Sequence, residues 1–135
     1  MKIERNTSSR EQDIEFISEK LKSEIPDYGP AYPYTFFMKN DDGDIVGACS
    51  GEAMFGGIHT NQLWVHPDYR GKGYGRKLME SVHEYGREIG CGIATVVTMS
   101  FQGAHEFYEN LGYRCDFEQT GYANGEKCLF LRRVL

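Results

Sequence analysis

The chain has 135 residues and a mass of 15.4 kDa, a length that predicts one domain over 1–135. Hydrophobic residues at 40% and charged residues at 26% are ordinary globular proportions and exclude a disordered chain. A net charge of −5 counts against a nucleic-acid partner, no apolar run is long enough to span a membrane, and Met1–Asn6 lacks a signal-peptide core, so a cytoplasmic protein is expected.

In chain order, Ser8-Ser9-Arg10-Glu11 reads as a capping box that opens a helix. Ile14, Ile17, Leu21 and Ile25 follow at helical spacing until Pro26 ends it. Residues 26–34 carry three prolines and three tyrosines and read as a loop. Tyr34–Met38 and Ile45–Gly51 are predicted strands around the turn Asn40–Asp44, and Ile58–Val65 is a third after the turn Gly56-Gly57. A glycine-rich loop leads into a second helix, where Leu78, Met79, Val82 and Ile89 share a face and Gly90 is the stop. The apolar run Gly92–Met99 suits a strand buried on both faces. Ser100 is expected to cap a short helix to Leu111. Tyr113–Glu118 and Lys127–Val134 then form a hairpin around Gly121–Gly125. The order predicts an α/β fold with a single mixed, mostly antiparallel sheet flanked by helices. The four cysteines, Cys49, Cys91, Cys115 and Cys128, form no C-x-x-C pair and are expected to be reduced and mostly buried.

The strongest candidate site is Arg70-Gly71-Lys72-Gly73-Tyr74-Gly75-Arg76, between a strand and a helix. Glycines allow close backbone approach to a ligand. The helix start offers unpaired N–H groups and the positive end of its dipole. The combination predicts an anion site, most naturally for a pyrophosphate. The spacing matches neither a P-loop nor a dinucleotide fingerprint. The plain alternative is a flexible loop with solvated charges. His83-Glu84 is followed by Arg87, so the zinc pattern H-E-x-x-H fails, and no metal is expected. Cys49 sits in a G-x-C-x-G stretch, but Gly56-Gly57 cuts short the helix that a nucleophile elbow requires.

Leu63-Trp64-Val65-His66-Pro67 followed by Tyr69–Gly75 resembles the acetyl-CoA signature of the GCN5-related N-acetyltransferase (GNAT) superfamily, with Arg70, Gly73 and Gly75 matching [RQ]-x-x-G-x-[GA]. Ala104 to Tyr113, with Phe107, Tyr108 and Gly112, is similar to a second family element. The resemblance covers nearly the whole chain. It implies a GNAT-like (acyl-CoA N-acyltransferase) fold and acetyl-CoA as cosubstrate. The backbone of Trp64 and Val65 would pair with the pantetheine arm, and Gly71, Lys72, Gly73, Tyr74, Gly75 and Arg76, with Arg70, would hold the pyrophosphate. The family's usual Asn contact falls on Phe101 here, which leaves Ser100 or Gln102 to replace it; Gln102 is assigned to the cofactor.

The resemblance further implies acetyl transfer to a primary amine by direct attack in a ternary complex. Tyr108 matches the family tyrosine that protonates the leaving sulfur, and a backbone N–H near Val65 would meet the oxyanion. Glu52 and His59, at strand ends, are candidate bases. The acceptor site is expected to be walled by Tyr28, Tyr32, Tyr34 and Phe55, whose rings could hold a cation, or could simply pack the loop on the sheet. The expected acceptor is a small-molecule amine or a lysine-bearing peptide. A homodimer through the final hairpin stays open. Two other readings stay open: a non-catalytic acyl-CoA-binding regulatory module, and a member acting on aminoacyl-tRNA, against which the pI near 5.4 counts.

Overall fold

The computed structural model describes residues 1–25 and 29–135. It divides into two units, Met1–Pro30 and Ala31–Leu135.

The first unit carries helix α1 (Glu11–Glu24). It starts later than a Ser8 cap requires. Arg10 is the residue before the helix, and its N–H donates to Asp13 Oδ2 at 3.0 Å. Ser8 N–H is already held by Asn6 Oδ1 at 2.9 Å in a local turn. Asp13 therefore replaces Glu11 as the residue that reaches back, because Asn6 competes for Ser8.

The second unit is a six-stranded sheet in the order β1-β2-β3-β4-β6-β5. Its strands are β1 (Tyr32–Lys39), β2 (Ile45–Met54), β3 (Gly57–Val65), β4 (Ile93–Met99), β5 (Arg114–Gln119) and β6 (Cys128–Val134). Only β3 and β4 pair in parallel, which makes the sheet mixed and mostly antiparallel, as expected. Helices α2 (Tyr74–Glu88) and α3 (His105–Asn110) complete the unit.

Each turn has a local cause. Asn40 Oδ1 accepts from the N–H groups of Asp42 and Asp44, at 3.0 and 2.9 Å, and closes the β1–β2 loop. The β2–β3 turn is centred on Phe55 and Gly56, both with positive φ, rather than on Gly56-Gly57. α2 buries Leu78, Met79, Val82, His83 and Gly86. It ends as expected at Gly90: Cys91 N–H reaches Gly86 O at 2.8 Å and Gly90 N–H reaches Arg87 O at 3.1 Å. His83 is fully enclosed. It accepts from Arg133 at 2.9 Å and donates to the Tyr113 hydroxyl at 2.8 Å. Burial, with Arg133 and Arg87 nearby, lowers its pKa to about 4, so it is neutral.

Two further expectations are corrected. β4 is buried on one face only: Ala94, Val96 and Thr98 are buried, whereas Val97 is 40% exposed. On the other face Ile93, Thr95 and Met99 are only half-buried, so an apolar run does not by itself mark a strand covered on both sides. Ser100 does not cap α3, which starts at His105. Its hydroxyl instead bonds Glu126 and accepts from Lys127 N–H, stitching the end of β4 to the start of β6.

Candidate active site

The site begins at an irregularity in the sheet. β2 and β3 are in register at Ser50↔Gln62 and then at Gly51↔Thr60, so Asn61 is an extra residue on β3. Such a bulge bends its strand. The parallel ladder between β3 and β4 ends beside it, at Thr60↔Val96. Beyond that pair, Asn61–Val65 diverges from Val97–Met99 and the sheet opens. Gly51 faces the bulge, and a Cβ there would lie 1.8 Å from His59 O.

The ladder's phase shows which groups face the gap. His66 N–H bonds Val46 O at 2.8 Å. Hydrogen-bonded and non-hydrogen-bonded pairs alternate in antiparallel strands. Trp64, opposite Ala48, therefore spends its backbone groups on β2, and Val65, opposite Gly47, turns its N–H and C=O away from β2 toward the gap. The Val65 carbonyl is taken by Arg70 Nε at 2.8 Å, and its N–H is the group left to meet a ligand.

Two cavities meet here. The first, about 570 Å³, lies between the end of β3 and the start of α2. Its floor includes Arg70, Gly71, Gly73, Tyr74, Gly75 and Arg76. Gly71 and Gly73 have φ of +72° and +83°, the left-handed region that glycine tolerates best, with open space where a Cβ would stand. The first bond of α2 is Lys77 N–H to Gly73 O, so the N–H groups of Tyr74, Gly75 and Arg76 precede the helical ladder. Such an arrangement at a helix N-terminus can cradle an anion. The cations around it are tethered. Lys72 Nζ bonds Asp68 O at 3.3 Å, and Arg76 reaches Asn110 O, at the end of α3, at 3.1 Å. The backbone therefore forms the cradle, and the side chains brace it.

The second cavity, about 700 Å³, shares Leu63, Trp64 and Ala104 with the first. Tyr108 lines it, nearly buried and packed edge-on against Phe107 and Tyr113, with ring centroids at 5.1 and 5.4 Å. Among the described residues its hydroxyl has no hydrogen-bond partner. Burial, and then Cys49, pushes its pKa up to about 12, so it carries its proton at neutral pH. Cys49 lines the same cavity, and burial pushes its thiol up to about 11. It is a thiol rather than a nucleophilic thiolate.

Gln102 also lines this cavity. Its Oε1 accepts from Thr98 Oγ1 at 2.9 Å and from Met99 N–H at 2.8 Å, which leaves the amide NH₂ as its free donor. Ser100 is spent on Glu126 and Lys127. The rest of the wall includes Thr35, Ser50, Asn61 and Gln62. Sequence reasoning missed these four. They are neutral residues with no motif: Thr35, Ser50 and Gln62 are register partners across β1, β2 and β3, and Asn61 is the bulged residue beside them.

Glu52, His59 and Phe55 lie together elsewhere, in a cavity of about 450 Å³ on the sheet face opposite α2. His59 Nδ1 is 2.8 Å from Thr95 Oγ1, and burial lowers its pKa against a smaller opposing effect of Glu52. Tyr34 is not a wall of any of these cavities. It is buried in the core, with its hydroxyl on Thr60 Oγ1 at 2.7 Å and His59 O at 3.1 Å. Tyr32 is exposed at the start of β1, and Tyr28 lies outside the described residues. Among the described residues no group of side chains could hold a metal, and no helix is long and apolar enough to cross a membrane.

The sequence profile of the acetyltransferase (GNAT) family matches residues 5–113. The chain belongs to this family. A Streptomyces morookaense protein named blasticidin-S acetyltransferase is 31% identical over 97 residues, 71% of each chain. The solved structure of an acetyltransferase from Bacillus cereus superposes with a TM-score of 0.79 at 26% identity, covering 98% of both chains. A Bacillus anthracis structure in complex with acetyl coenzyme A shares the fold at 16% identity, with a TM-score of 0.71 over 79% of this chain and 64% of that one. This GNAT protein is thus an acetyl-CoA-dependent N-acetyltransferase. The glycine cradle, the α2 N-terminus and the gap-facing backbone of Val65 fit a pyrophosphate and its extended arm.

Proposed function

We propose that this GNAT protein transfers acetyl from acetyl-CoA directly to the primary amine of a small polar molecule, with both substrates bound at once. The observation that carries this reading is the junction of the two cavities at Leu63, Trp64 and Ala104, with Tyr108 on the far side. One cavity has the anion cradle. The other has a wall of neutral hydrogen-bonding groups.

When bound, acetyl-CoA supplies the acetyl group as an activated thioester. The amides of Gly71–Arg76 hold its pyrophosphate, and the Gln102 amide donates to a carbonyl of its arm. The Val65 N–H meets the developing oxyanion. The Tyr108 hydroxyl gives its proton to the departing thiolate, which leaves as the free thiol. His59, through water in the cavity that adjoins the second one at Val96 and Val97, takes the proton the amine loses. It releases that proton to solvent, and solvent restores Tyr108. Cys49, held as a thiol, supports direct transfer over an acyl-enzyme. The blasticidin-S relative supports a small-molecule acceptor.

Thiol release from acetyl-CoA, followed over blasticidin S, a polyamine and a lysine-bearing peptide, tests the proposal. The expected result is turnover with at least one small amine and a product heavier by one acetyl group. Acetyl-CoA binding without turnover on any amine would make the chain a binding module instead.

Tyr108→Phe is expected to lower kcat about 100-fold, near the low end for lost general acid catalysis because a thiolate leaves readily. The KM for acetyl-CoA should stay within about twofold, since no ground-state contact is removed. With the Tyr108 pKa at about 12, the pH profile of kcat should show no basic limb from this residue through the neutral range. A phenylalanine variant at full rate would remove Tyr108 from the chemistry.

A further inference from the structure

On the sheet face opposite α2, a polar row crosses four strands. Glu52 on β2 is the register partner of His59 on β3, His59 of Thr95 on β4, and Thr95 of Arg132 on β6. The His59 ring stands between two cavities, of about 450 and 340 Å³, and both also touch Thr95. Nδ1 lies 2.8 Å from the Thr95 hydroxyl oxygen. Nε2 has no partner among the described residues.

A neutral imidazole carries one proton, and which nitrogen holds it is set by the bond the other ring nitrogen makes. A base needs its lone pair on the accessible nitrogen. We propose that Thr95 is a positioning residue for acetyl transfer: its hydroxyl accepts the Nδ1–H of His59 and thereby leaves the Nε2 lone pair to take the proton of the acceptor amine. This rests on the reading of His59 as the proton acceptor. The same bond survives both states of the cycle, since Nδ1 carries a proton in the neutral tautomer and in the imidazolium. The opposite arrangement, Thr95 donating to a bare Nδ1, must break each time the ring is protonated.

The charged groups facing the ring fix the direction of its pH response. Asp116 on β5 and Arg132 on β6 pair with each other at 2.9 Å. From β1, the Tyr34 hydroxyl approaches His59, and it meets the His59 carbonyl rather than the ring. Glu52 is left as the charge that favours the imidazolium. Loss of Thr95, an acceptor that also favours the imidazolium, should move the acid limb of activity to lower pH.

The test compares the full chain with Thr95→Val, Thr95→Ser and His59→Gln. Long-range ¹⁵N–¹H spectra of labelled histidine, above the pH at which His59 titrates, are expected to show a protonated Nδ1 and a bare Nε2. Thr95→Val should populate the other tautomer, and Thr95→Ser should restore the first. With blasticidin S as the amine, Thr95→Val is expected to lower kcat about tenfold at unchanged KM, with the acid limb displaced downward. A bare Nδ1 in the wild type, or a Thr95→Val spectrum unchanged from it, overturns the role of Thr95. A His59→Gln variant that keeps both rate and acid limb instead overturns His59 as the base, whatever the tautomer.

Discussion

Gly73→Asp is expected to weaken acetyl-CoA binding by at least about 100-fold, close to 2.7 kcal/mol, while the protein stays folded. Gly73 is the residue before α2, with φ +83° and ψ 9°. A Cβ there meets nothing within 4 Å, so no side chain clashes. The remaining conformational cost is the left-handed backbone, which aspartate tolerates better than most residues. A carboxylate at this position also suits the helix, because it can accept from the N–H groups of the first turn. Those N–H groups are the ones proposed to hold the pyrophosphate. The substitution therefore fills the anion cradle with the protein's own anion and repels the ligand's charge. Gly73→Asn separates charge from shape: it adds the same bulk without the charge and should cost only about tenfold. Calorimetric titration with acetyl-CoA, beside a thermal melt, reads both effects. Equal losses for Asp and Asn would show that the cradle works by shape alone.

Gly51→Ala is expected to destabilise the protein by more than about 3 kcal/mol, which for this length lowers the melting temperature by roughly 10 °C. The added Cβ would lie 1.8 Å from His59 O, 2.9 Å from His59 C and 2.7 Å from the Tyr34 hydroxyl. Two of these atoms are backbone, so the clash cannot be relieved by a rotamer change. The chain must move at the bulge, where β3 leaves β4. Activity should fall with stability, because the gap proposed to receive both substrates begins at Asn61. Gly92→Ala is the control. Nothing lies within 4 Å of a Cβ there, and its backbone is not left-handed, so its melting temperature should stay within a few degrees. A Gly51→Ala variant that melts with the wild type would contradict the bulge.

The contrast between Gly73 and Gly51 also shows what the sequence could reveal. Gly71 and Gly73 announce themselves locally, because their neighbours, the strand before them and the helix after them lie within one stretch. The end of α2 at Gly90 is legible for the same reason. Gly51 is different. Its role comes from His59 O across the strand pair, and a bulge belongs to two strands at once. The neutral wall of Thr35, Ser50, Asn61 and Gln62 has no local pattern, because it comes from the register of three strands and from the bulged Asn61. Tyr34 looked like a wall of the acceptor site because it is aromatic and follows a proline-rich loop. Its hydroxyl meets Thr60 in the core, a partner 26 positions away. Gln102 and Ser100 were indistinguishable by type. Their hydrogen bonds separate them, since one presents a free amide and the other is spent on Glu126 and Lys127, just before β6. The Ser8 capping box failed for the same reason at shorter range, because Asn6 competes for Ser8 and Asp13 serves Arg10.

The most direct test of the central claim, that acetyl-CoA runs from the start of α2 into the gap between β3 and β4, is an amide ¹⁵N–¹H titration of the full chain with this ligand. The expected shifts fall on Gly71–Arg76, on Leu63–Val65 and on Ala104–Tyr108, with Glu52, Thr95 and Arg132 unmoved. Saturable shifts confined to the Glu52–Arg132 row, with Gly71–Arg76 silent, would contradict it.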